Sequence, residues 1–145
     1  MSRVTRVMTV TATPRQVIDY ISNVSNHPAF IPPLVSVENL RGDPRQPGAT
    51  WEWTFVMAGI QIRGRAETVL VREAERFSFK TSAGIESTFT YSAEPAGGGT
   101  RLTLDVVYEI PQTVLAKMLD RAVVERMHES DADKVVENLR TIFGS

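Results

Sequence analysis

Eight of the eleven aromatic residues fall on alternate positions within short runs: Trp51, Trp53 and Phe55; Phe77 and Phe79; Phe89 and Tyr91; and Tyr108. The residues between them are mostly polar, as Glu52, Thr54, Ser78, Lys80 and Thr90 show. Successive side chains of a strand point to opposite faces, so this period places the rings together. The spacing predicts an antiparallel sheet with a wet back and an aromatic front that something else must cover.

The remaining strands are read from the same signal. Residues 3–12 are rich in Val and Thr and read as a strand. Further strands are expected at 34–41, 49–57, 60–72, 76–82, 85–94 and 100–109. Ala58-Gly59 and Ala83-Gly84 mark tight hairpins, and Pro95–Gly99 a looser turn. In 60–72, the residues Ile60, Ile62, Gly64, Ala66, Thr68 and Leu70 share one side, opposite Gln61, Arg63, Arg65 and Glu67. The charged set reads as the solvated convex face.

Two helical segments interrupt the strands near the N-terminus. Thr13-Pro14 offers an N-cap with proline at the first helical position, and Val17, Ile18 and Ile21 come next at helical spacing through Asn23. A second short helix runs past His27-Pro28 to Ile31, where Pro32-Pro33 stops it. After Pro111 the period changes: Leu115, Met118, Ala122, Val136, Leu139 and Phe143 fit one helical stripe. A continuous helix over 112–143 would be about 48 Å long, with Ser130–Asp133 as the expected place for a kink.

Gly64, Ala66, Thr68, Ser87 and Ala122 stand among the bulky inward positions. They either make room for large rings across a solid core or leave a hollow beneath the helix. The helix stripe also runs over Glu125, with His128 or Glu129 one turn on. A carboxylate facing an apolar front is costly unless paired, hydrated or protonated. Either that part of the helix borders water or ligand, or the helix rotates to turn these groups outward.

Composition removes several kinds of chemistry. The 145 residues suffice for one domain with a real core, and they include no cysteine, so disulfides and thiolate chemistry are excluded. A net charge of −1 gives no global field for nucleic acid. No run approaches the ~20 apolar residues of a membrane-spanning helix, and the opening residues lack an apolar signal core, so a cytoplasmic location is expected. The two histidines, His27 and His128, lie far apart and outside any metal-ligand spacing. No metal or cofactor is expected, and no nucleophile elbow, phosphate loop or dinucleotide fingerprint is present.

The opening TPRQVIDYISNVSNHPAFIPPL, the strand GATWEWTF, the hairpin end GGGTRLTLDVVYEIP and the long final helix together resemble the START-like helix-grip superfamily. That group includes birch-pollen-allergen relatives, lipid-transfer START domains, polyketide cyclases and dehydrases, and coenzyme-Q-binding proteins. The likeness covers essentially the whole chain and is strongest for the small bacterial polyketide-cyclase and coenzyme-Q-binding-like subgroup. It implies an α+β fold: a curved seven-stranded antiparallel sheet around a long C-terminal helix, with two short helices after the first strand. It also implies a hydrophobic cavity between sheet and helix.

Under that resemblance the leading expectation is a module that binds or carries a small hydrophobic molecule (polyketide, quinone, isoprenoid or lipid-like). Trp53, Phe55, Ile62, Phe79, Phe89, Tyr91, Tyr108 and Met118 would line its site. The alternative is a cyclase or dehydratase, for which Glu125 and His128 are the candidate acid–base groups. A protein-interaction module using the convex Arg63 and Arg65 is a third class.

Overall fold

The computed structural model describes residues 1–57, 59–117 and 120–145. Ala58 of the first hairpin and Met118 of the helix stripe lie outside the described residues. Strand β1 (Ser2–Val10) leads to α1 (Pro14–Ser22), a 3₁₀ turn at Val24–Asn26, and α2 (His27–Phe30). Next come strands β2 (Leu34–Arg41), β3 (Thr50–Met57), β4 (Ile60–Arg72), β5 (Arg76–Ser82), β6 (Ser87–Ala96) and β7 (Gly99–Tyr108). The chain closes with α3 (Gln112–Leu115) and α4 (Arg121–Phe143).

The seven strands form one antiparallel sheet in the order β1-β7-β6-β5-β4-β3-β2. Hairpins generate the run from β2 to β7, and β1 returns to close against β7. The expected α+β helix-grip architecture is the one observed. Cross-strand register puts the rings on one face: Trp53 opposes Gly64, Phe79 opposes Phe89, and Tyr91 opposes both Phe77 and Leu104.

One strand departs from strict alternation. A bulge between Thr68 and Leu70 leaves Val69 unpaired, so Leu70 faces Ser78 and Val71 faces Phe77. One extra residue inverts the sidedness of the rest of the strand. Val71, rather than the expected Leu70, therefore packs against the core.

Local chemistry explains the helix starts. Thr13 and Gln16 make a reciprocal capping box, with Gln16 N–H donating to Thr13 Oγ1 at 3.2 Å and Thr13 N–H to Gln16 Oε1 at 2.9 Å. The expected continuous helix over 112–143 is two helices. The second begins at Asp120, whose carboxylate accepts from Val123 N–H at 2.8 Å. Helix α4 then runs unbroken through Ser130–Asp133, because Asp133 turns outward to an ion pair with Arg6 of β1 at 2.7 Å. Its buried stripe is Val124, Ala132, Val135, Val136, Leu139 and Phe143. Ala122, expected on that stripe, is exposed.

Helix α4 is tied down mainly along β1 and at its C-terminus. Ser2 donates to the Glu125 carboxylate. Thr11 N–H and Ala12 N–H donate to the carbonyls of Gly144 and Phe143 at 3.2 and 3.1 Å. Asn138 Nδ2 donates to Phe30 O of α2 at 3.2 Å. Gly144 ends the helix at φ 88°, a conformation that suits glycine. Among the described residues, no helix is long and apolar enough to cross a membrane.

Candidate functional site

A cavity of about 100 Å³ lies between the aromatic face of the sheet and α4. Its sheet wall includes Trp51, Trp53 and Phe55 of β3, Phe79 of β5, Phe89 of β6, and Leu104, Val106 and Tyr108 of β7. Helix α4 contributes His128, Asp131, Ala132 and Val135. One end is closed by His27 and Ile31, and the side toward β2 by Pro33 and Leu34. The half-buried lining residues are Pro33, Leu34, Phe55, Phe89, His128 and Asp131.

The rings brace one another. Phe79 and Phe89 stack at 4.9 Å, and Trp51 tilts against Phe79 at 5.4 Å. Phe55 stands edge-on to Trp53 at 6.4 Å. Such offset and edge contacts hold rings in place beyond the effect of area burial alone. Gly64 is small because of Trp53: a Cβ there would lie 2.2 Å from the indole. At Gly64 the missing side chain seats a ring rather than hollowing the cavity. Thr68 likewise belongs to a solid region, where its hydroxyl donates to Pro44 O at 2.8 Å.

The polar groups in the wall fall into two sets. Thr81 donates to Ile85 O at 2.6 Å, which leaves its oxygen to accept from the Ser87 hydroxyl. His27 Nε2 lies 2.7 Å from Ile21 O and must carry the proton there. Burial pushes the His27 pKa down to about 4, against the raising effect of that hydrogen bond. Both groups are internally satisfied. By contrast, the buried Nε1 of Trp53 and Nε2 of His128 have no partner among the described residues.

His128 stacks on Tyr108 at 4.3 Å and parallel to Phe55 at 6.3 Å. Burial lowers its pKa to about 4, so the ring is neutral near pH 7. Three residues on, Asp131 lines the same cavity, and burial raises its carboxyl pKa while Lys134 pulls it back. Burial also raises the Tyr108 hydroxyl, which the Ser2 hydroxyl partly offsets. These groups can exchange protons or hydrogen bonds with a guest.

The structure brings together Trp53, Phe55, Phe79, Phe89, Tyr108 and His128 around the cavity. It places Ile62 and Tyr91 in the packed core instead, outside the cavity lining. Tyr91 meets Phe30 edge-on at 6.4 Å, and burial raises its hydroxyl pKa. Glu125 engages Ser2 and is not part of the lining. Trp51 and Asp131 are lining residues absent from the set expected on sequence grounds. Trp51 belongs to the same alternating run as Trp53, and Asp131 is one helical turn from His128, so both carried a readable signal. Among the described residues, no His, Asp and Glu cluster could hold a metal ion.

A family model described as polyketide cyclase/dehydrase and lipid transport matches residues 1–144. No curated protein matches the chain significantly. Among solved structures, a Thermus thermophilus protein is 19% identical with a TM-score of 0.79, covering 97% of this chain and 95% of that one. A START superfamily protein from Mycobacterium smegmatis is 14% identical with a TM-score of 0.78, covering 97% and 96%. The Zhui aromatase/cyclase from Streptomyces sp. R1128 is 18% identical with a TM-score of 0.70, covering 99% and 96%. At these identities the likeness is one of fold.

Proposed function

The chain belongs to the polyketide cyclase/dehydrase and lipid transport family, and from that premise we propose that it binds a small, mostly apolar molecule between its sheet and α4. The observation that carries this reading is the ring-lined space that the protein's own side chains leave unfilled. Domain interiors ordinarily pack with few voids larger than a water molecule. Burial of a guest's apolar surface contributes roughly 25 cal/mol per Å², before the costs of association. Trp51, Trp53, Phe55, Phe79, Phe89 and Tyr108 supply the contact surface; His128 and Asp131 supply the polar end.

Size narrows the guest. Pockets for drug-sized ligands are about 300–1,000 Å³, and an engineered apolar cavity of about 150 Å³ admits benzene. A space of about 100 Å³ suits one ring or a short chain segment. A whole polyketide, quinone or lipid requires the space between the sheet and α4 to widen.

Both tryptophans of the chain line the cavity, so their emission reports on it. Titration with a panel of a naphthoquinone, a short acyl chain and a monocyclic hydrocarbon should give a saturable change for at least one member. A flat response to all of them contradicts the proposal. The second reading, a cyclase or dehydratase, is favoured by one specific feature: His128 and Asp131 put two protonatable groups in the apolar cavity. It requires a chemical change in the bound molecule, detected as a mass difference after incubation; passive binding returns the guest unaltered.

A further inference from the structure

Two unpartnered nitrogens in a largely apolar wall say something about what the wall receives. A buried polar atom with no partner carries an uncompensated desolvation cost. Nε1 of Trp53 and Nε2 of His128 are both in that position among the described residues, and both residues line the cavity. Phe55 stands between them, edge-on to Trp53 at 6.4 Å and parallel to His128 at 6.3 Å. Elsewhere in the wall, the Thr81 and Ser87 hydroxyls and the His27 Nε2 already have partners within the protein. Among the buried polar atoms of the wall, those without a partner therefore lie on the Trp53–Phe55–His128 side.

The chemistry of the two nitrogens selects the complementary group. Indole Nε1 only donates, so it calls for an oxygen that accepts. The neutral imidazole Nε2 accepts in one tautomer and donates in the other. A hydroxyl is compatible with both, since it donates and accepts. A carboxylate is a poor fit, because Asp131 lines the same cavity and would stand near a second anion in apolar surroundings. The volume of about 100 Å³, before any widening, favours a small guest over a large one.

We propose that the cavity receives a neutral single-ring molecule bearing a hydroxyl, that His128 Nε2 is the anchor for that hydroxyl, and that Trp53 Nε1–H favours the same oxygen-bearing guest. The inference rests on the reading that the cavity takes apolar guests, and it adds the polar requirement. A cavity without a partner for the hydroxyl would reject phenol relative to toluene, because phenol must give up its hydrogen bonds with water.

The test compares phenol with toluene, two rings of nearly equal size, by NMR titration of the full chain. Wild-type protein should bind phenol at least as tightly as toluene. His128→Phe should lower phenol affinity relative to toluene roughly three- to ten-fold. His128→Gln, which retains polar atoms, should recover part of that loss. Independently of any variant, phenol should move the His128 ring ¹⁵N resonance and toluene should leave it nearly unchanged. Toluene binding with phenol rejected equally by wild type and His128→Phe, or an unmoved ¹⁵N resonance, overturns this inference alone. Failure of the wild type to bind either ring overturns the cavity reading itself.

Discussion

At His27, burial and one hydrogen bond define both a protonation state and a pH dependence. The ring is 1% exposed, donates from Nε2 to Ile21 O, and has its pKa pushed down from 6.5 to about 4. The unfolded chain therefore binds a proton below pH 6.5 that the folded chain refuses until about pH 4. Stability contributed by the neutral ring is complete above pH 6.5, declines as pH falls, and is lost below about 4. At pH 5 this one group removes about 2 kcal/mol relative to neutral pH. His128, lowered to about 4 as well, acts in the same window. Urea unfolding at intervals from pH 7.5 to 4.5 should show nearly two protons taken up by these histidines on unfolding, and nearly one fewer in His27→Gln. A His27→Gln profile parallel to wild type would refute the assignment. None of this was legible in the sequence: the His27 environment depends on Ile21, Phe77 and Phe79 arriving from other elements. The same holds for Gly64, whose meaning appears only when Trp53 lies across it.

Strands β3, β5 and β6 were legible because a period of two survives along each of them. The bulge in β4 was not, since Glu67-Thr68-Val69-Leu70 contains no glycine or other residue that marks an extra position. The helix break was misplaced: the capping signal at Ser130, three before Asp133, starts no helix, Asp133 commits its carboxylate to Arg6, and the cap that starts α4 is Asp120. Helix α4 also passes over the cavity at its smallest buried side chain, Ala132. Ala132→Leu tests whether the space beneath the helix is a true gap. Overpacking a filled core costs about 1–3 kcal/mol, but in a gap the added carbons gain apolar contact. The variant should unfold within about 1 kcal/mol of wild type or above it, and should lose affinity for apolar guests at least ten-fold. A strongly destabilised Ala132→Leu protein, or one that binds as before, would show the helix and sheet to be already in full contact there.

For the molecule as a whole, α4 is fastened on one side. Ser2, Arg6, Thr11 and Ala12 hold it along the β1 side, and Asn138 holds it to α2. Toward β3 the approach is made by His128 lying parallel to Phe55. On its other edge α4 rests on rings, His128 against Phe55 and Tyr108. The architecture was legible in the sequence because element order and aromatic alternation point to the same grip. The cavity's size could not, because it depends on side-chain packing that no pattern of spacing records. Its occupancy is tested most directly by methyl NMR of the intact chain titrated with toluene. Saturable shifts are expected on Val4, Ile31, Leu104, Val106 and Val135 around the cavity, with the exposed Val7, Val35 and Val69 methyls unmoved. Saturating toluene that leaves the cavity methyls in place, or that moves only the exposed ones, would contradict it.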